Sequence, residues 1–119
     1  MAKLWVPDRR EIIWINCSPH TGKEMRDIHP LLVLSPKNFN ARTSIVIGLP
    51  MTSAESNDDN PFAIKFQGAR SKASYVLCHQ PKSFDWRQRG AKLHPWKKIS
   101  DEIFDAACET LNQIVMISG

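Results

Sequence analysis

Residues 11–36 read EIIWINCSPHTGKEMRDIHPLLVLSP, and this stretch decides the fold. Its first apolar run carries Ile12, Ile13, Trp14 and Ile15, and its second spans Leu31 to Leu34, closed by Ser35 and Pro36. Both runs are short and rich in β-branched or bulky apolar side chains, as buried strands are. Pro19, Gly22 and Pro30 punctuate the segment between them as a loop. That loop concentrates His20, Lys23, Glu24, Arg26, Asp27 and His29. Two strands holding out a charged loop make a scaffold on which chemistry commonly sits.

Toward the N-terminus lies a short lead-in with Trp5 and Pro7. Toward the C-terminus, Ser35-Pro36 suits the start of a helical turn over SPKNFNAR, because serine caps and proline fits the first helical position. SIVIGL (44–49), FAIKF (62–66) and YVLC (75–78) read as further strands, and Ser83 to Trp86 as a short sixth one. The polar AESNDDNP segment between Ser53 and Phe62 has no core-forming residues and reads as a flexible surface loop. Residues 90–98 read as basic and irregular, with Pro95 among them. Trp14, sitting among isoleucines, reads as core; for Trp86 and Trp96, packing is the expectation over base stacking.

The period then changes. Ser100 caps a helix expected over 101–115, with Asp101 and Glu102 at its positive end. Ile103, Ala107, Leu111, Ile114 and Val115 fall on one face at helical spacing. Short strands followed by one helix imply a mainly β chain: a small barrel or curled sheet with a C-terminal helix.

With 119 residues, 42% hydrophobic and 24% charged, the chain reads as one domain spanning 1–119. No apolar run approaches the ~18 residues of a membrane span. The N-terminal residues lack a signal-peptide core, so the cytoplasm is the expected location. Cys17, Cys78 and Cys108 are widely spaced and odd in number, which argues against a disulfide framework or a zinc site. No cofactor is implied. The net charge is +4, but residues 1–98 hold all 16 basic and eight of the 12 acidic residues. A basic body followed by an acidic tail suits a polyanion or an acidic protein partner, although solubility alone also accounts for it.

No Walker loop, GxGxxG, HExxH or GxSxG is present. What remains are polar groups at strand ends. Metal-free RNA cleavage needs a base for the 2′-hydroxyl proton, an acid for the leaving 5′-oxygen, and donors for the phosphorane charge. Glu24, His29, Thr52, Ser53 and His79 are of the right types. On residue types alone, the alternative is a Glu24 paired with Lys23 or Arg26 on a solvated loop. Arg87, Arg89, Lys92, Lys97 and Lys98 form the densest basic run, which suits phosphate tracking or a solvated face equally.

VPDRREIIWINCSPHTGKE (6–24), HPLLVLSPKNFN (29–40), LPMTS (49–53), PFAIKFQG (61–68) and CHQPKSFDWRQRGAK (78–92), followed by the helix, resemble the MazF/PemK/Kid toxins of type II toxin–antitoxin systems. The likeness runs over about the whole chain. It implies an SH3-like barrel of the CcdB/MazF type and a homodimer. It implies metal-independent, sequence-specific cleavage of single-stranded RNA to a 2′,3′-cyclic phosphate, and so inhibition of translation. It also implies a cognate antitoxin whose acidic, disordered segment fills the RNA groove.

The family's loop glutamate and threonine fall on Glu24 and Thr52. Its arginine falls on His29, and the Kid-branch aspartate and arginine fall on His79 and Leu77; Met25 replaces the usual glutamine. The resemblance thus implies Glu24, His29, Thr52 and His79 as catalytic. It places Lys23, Arg26, Ser53, Gln80, Lys82, Arg87 and Arg89 on the RNA, with no metal. His29 and His79 are expected to meet as an acid–base pair, or one histidine works with Glu24. A catalytically degenerate RNA-binding domain and a CcdB-like gyrase poison of the same fold stay open as alternatives.

Overall fold

The apolar runs around the charged loop form strands covered on both faces, which is why they read as continuous rather than alternating. β1 (Glu11–Asn16) pairs antiparallel with β2 (Ile28–Val33). Ile12 and Leu32 lie in one cluster, with Leu49, Met51, Val76, Ile99, Phe104 and Ala107. Ile13, Ile15, Leu31 and Val33 lie in another, with Val46 and Trp86. Successive side chains point to opposite faces of a strand, so each strand feeds both clusters. The computed structural model describes residues 4–18, 28–68 and 72–116. The predicted roles of Lys23, Glu24 and Arg26 therefore lie outside the described residues.

Seven strands are present among the described residues, all paired antiparallel: after β1 and β2 come β3 (Ile45–Thr52), β4 (Ala63–Gln67), β5 (Ala73–Leu77), β6 (Lys82–Asp85) and β7 (Lys92–Lys98), in the order β4-β5-β3-β2-β1-β7 with β6 on β3. β3 organises the curl. One edge pairs with β2. The other is shared: Ile45 to Gly48 pair with β6, and Met51 and Thr52 with β5, which also carries β4. The switch falls between Gly48 and Met51, where Pro50 has no N–H to give a ladder. Gly48 is required by close approach: a Cβ there would stand 2.4 Å from the Leu32 carbonyl oxygen.

The predicted C-terminal helix is present as α2 (Asp101–Val115), capped by the Ser100 hydroxyl, which accepts from the Ile103 N–H. Phe104 and Ala107 seat it on the first cluster. Burying Phe104 contributes about 1.5–3 kcal/mol. Ile114 and Val115, expected on the buried face, are exposed because the last turn extends past the sheet's apolar cluster. No helix among the described residues is long and apolar enough to cross a membrane. The turn predicted after Pro36 is a two-turn helix, α1 (Lys37–Thr43). Its fully buried Asn40 accepts from Ser35 Oγ, donates to the carbonyls of Pro7 and Ser35, and gives its own carbonyl to the Trp86 indole N–H.

Three segments depart from the sequence expectation. Residues 28–30, expected as the end of the charged loop, are the first half of β2, because Trp14 to Asn16 of β1 pair with them. Glu55–Asp59, expected as a flexible loop, is a 3₁₀ turn. Tertiary contacts fix it: Asp58 accepts from the buried Tyr75 hydroxyl and pairs with Lys65 at 3.0 Å. Residues 92–98, expected as irregular, form β7 on β1. Between the pairs Glu11↔Lys98 and Ile13↔Leu93, β1 advances two residues and β7 five. The surplus makes a wide bulge that holds Pro95 and a left-handed Lys97 (φ 62°). An edge strand with a bulge is where proline is tolerated, so Pro95 does not break the pairing.

Candidate RNA-cleavage site

Thr52 ends β3 and His29 is the second residue of β2, and both line one cavity of about 460 Å³. The sheet brings them there because β2 and β3 are neighbours. Ser53 follows Thr52 into the same wall, and Pro30 and Met51 supply apolar lining. The Thr52 hydroxyl oxygen accepts from the Ala54 N–H at 3.1 Å. That contact fixes the oxygen and leaves the hydroxyl proton to be donated outward. Lys72 and Ser74 close the wall from the start of β5.

The opposite wall is aromatic. Trp14, expected in the core, is only half-buried and lines the cavity. The physical reason is position along the strand: on the face it shares with Trp14, Ile12 is covered by Phe104 and Ala107 of α2, whereas Trp14, two residues on, faces the cavity. The Trp14 ring centroid lies 4.6 Å from that of His94, and the His94 centroid lies 4.7 Å from that of Trp96. The Trp96 backbone N–H donates to His94 Nδ1 at 3.1 Å. The neutral ring therefore carries its proton on Nε2. His94 is only 7% exposed, and burial pushes its pKa below the ordinary 6.5. Trp14, His94, Trp96, Lys72 and Ser74 were not assigned to the site from sequence. The signal for Trp14 was its alternation against Ile13 and Ile15; for His94 and Trp96 it was a proline between two aromatic rings, a pattern that suits a bulge.

The other predicted residues lie apart from this cavity. His79 sits in the turn after β5, exposed, its ring against Phe62 at 5.9 Å and its Nε2 3.1 Å from Gln80 Nε2. Within one chain the structure does not bring His29 and His79 to one cavity. Lys82 opens β6 on the exposed side. Arg87 is tied to α1 through the Ala41 carbonyl and the Ser44 hydroxyl, with its guanidinium over Trp86. Arg89 donates to the carbonyls of Asn16 and Ser18 and lies over Phe84. Both arginines are engaged with their own chain. Among the described residues, no three His, Cys, Asp or Glu groups gather as metal ligands.

The model of the PemK-like, MazF-like toxins of type II toxin–antitoxin systems matches residues 8–115. The chain is 33% identical over 91 residues to the endoribonuclease toxin MazF of Escherichia coli strain K12, covering 76% of this chain and 79% of that protein. The fold superposes on crystalline MazF from Deinococcus radiodurans with a TM-score of 0.79 at 26% identity, over 95% of this chain and 99% of the other. It superposes on a chain of the MazE–MazF complex of the same organism with a TM-score of 0.75 at 26% identity, again over 95% and 99%. A curled antiparallel sheet, a C-terminal helix and a cavity at the ends of β2 and β3 thus come with sequence likeness along most of the chain: it belongs to the PemK-like, MazF-like toxin family of type II toxin–antitoxin systems.

Proposed function

We propose that this chain is an endoribonuclease toxin that cleaves single-stranded RNA without a metal, by attack of a 2′-hydroxyl on the adjacent phosphorus. The P–O5′ bond breaks as the new P–O2′ bond forms, leaving a 2′,3′-cyclic phosphate and a free 5′-hydroxyl. Glu24 takes the 2′-hydroxyl proton, the protonated His29 imidazole supplies the proton to the leaving 5′-oxygen, and the Thr52 hydroxyl donates to a phosphorane oxygen. The observation that carries this reading is the single cavity shared by His29, Thr52 and Ser53. His29 with Glu24 is favoured over His29 with His79, because His79 lies against Phe62 rather than at the cavity. The chain works as a homodimer in the cytoplasm, where cleavage of messenger RNA stops translation. It is neutralised by a cognate antitoxin with an acidic, disordered segment, a reading supported by the basic body and by the MazE–MazF complex.

The test is incubation of purified protein with long RNA in EDTA. Cleavage with cyclic-phosphate ends is the expected result. His29→Ala should lower the rate roughly 10²–10⁴-fold, the usual effect of removing one acid or base. His29→Arg should recover part of that loss if position 29 mainly supplies a cation, because arginine is permanently charged. Intact RNA with the parent protein refutes the proposal and leaves a binding-only toxin.

A further inference from the structure

His94 has no part in the chemistry above, yet the fold goes to some length to place it. β7 leaves the regular ladder at this point, with extra residues and a left-handed Lys97. Bulges of this kind re-aim side chains beside functional sites. Here the outcome is a histidine in ring contact with two indoles on the wall of the cavity.

The hydrogen bonding then limits what the ring can do. A general base needs a free lone pair on nitrogen. Nδ1 has given its lone pair to the Trp96 backbone N–H, and Nε2 bears the proton. The ring therefore acts through Nε2–H as a neutral, fixed donor. A phosphate contact would favour the cation, which burial opposes. His29 and Lys72, on the same cavity, are better suited to the phosphate. The indoles offer π faces on which a base stacks.

We infer that His94 is a specificity-determining residue, whose Nε2–H donates to a carbonyl oxygen of a nucleobase stacked against Trp14 or Trp96. The inference rests on RNA as the ligand of this cavity. A donor accepts a carbonyl and rejects an exocyclic amino group. Uracil O4 or guanine O6 thus fits where cytosine N4 or adenine N6 does not.

The test uses binding, so that it stands apart from cleavage. Single-stranded 2′-deoxy hexamers cannot be cut by 2′-hydroxyl attack. Uniform deoxyuridine is compared with deoxycytidine, and deoxyinosine with deoxyadenosine, by quenching of tryptophan fluorescence on full-length protein. In at least one pair the carbonyl base should bind roughly tenfold tighter, the value of one hydrogen bond. His94→Phe keeps a ring beside the indoles and removes the donor, so the preference should fall to about twofold or less. His94→Gln keeps an N–H and should retain part of it, which decides the matter if His94→Phe does not fold. Preference should be constant from pH 6.5 to 8, since the donor is neutral. Absent binding, absent preference in the parent, or full preference in His94→Phe each overturn the inference. If the parent fails to cut RNA but prefers the carbonyl base, the cleavage reading falls and this one stands.

Discussion

His29 and His94 line the same cavity under different physical conditions. His29 is exposed at the start of β2, whereas His94 is buried in ring contact with Trp14 and Trp96. Desolvation lowers the His94 pKa from 6.5, so the unfolded chain takes up this proton at a higher pH than the folded chain. The stability His94 contributes is complete above about pH 6.5 and is lost as pH falls toward the depressed folded value. Thermal unfolding at constant ionic strength should show the parent losing stability between pH 6.5 and 5, and His94→Phe losing less. Equal slopes would show that His94 is protonated as readily in the fold as out of it. Asp58 obeys the same sign at lower pH: the Tyr75 hydroxyl, then Lys65, hold its carboxyl below the ordinary carboxylate range.

Among the elements, α1 and the β6–β7 connection are joined by polar ties rather than by a large apolar contact. Asn40 satisfies two carbonyls, a hydroxyl and an indole N–H, and no apolar side chain of similar size replaces its side-chain contacts. Asn40→Ala leaves the Pro7 carbonyl and the Ser35 groups short of partners and should cost about 3 kcal/mol in urea unfolding. Arg89→Ala should also destabilise, by about 1–3 kcal/mol, since its charged donors hold the end of β1 through Asn16 and Ser18. An Arg89 whose removal leaves stability unchanged but weakens RNA binding would restore the phosphate role expected from sequence. Arg87 is bound to α1 in the same way, so the basic run is in part a brace between elements.

For the whole molecule, charge is divided between the sheet and the helix. The acids of α2 lie on the far side from its apolar seat, and Arg10 joins the helix start by pairing with Asp101. A body with this excess of basic residues should bind RNA with an affinity that falls steeply as salt rises, because phosphate contacts release counterions. Light scattering should give a species of twice the 13.6 kDa chain mass. A monomer at micromolar concentration, or binding indifferent to salt, would count against the homodimeric RNA groove.

Read alone, the sequence determined the elements whose signals are local. The strand at 11–16, the apolar half of the second strand from Leu31 to Val33, and the helix at 101–115 with its Ser100 cap were legible. Burial on both faces writes itself as an apolar run, and a cap needs only its neighbours. Family likeness extended that reading to His79, Arg87 and Arg89, but placement in the fold is a matter of register and reach. The turn after β5 carries His79 to Phe62, and the two arginines find carbonyls of their own chain. The aromatic wall was decided only by tertiary structure. A strand interrupted by Pro95 has no periodic signature, and the bulge that aims His94 exists only because β1 is there to pair with it. Local propensity records what a residue prefers, whereas a bulge, a stacked imidazole and a cavity arise between segments distant in sequence.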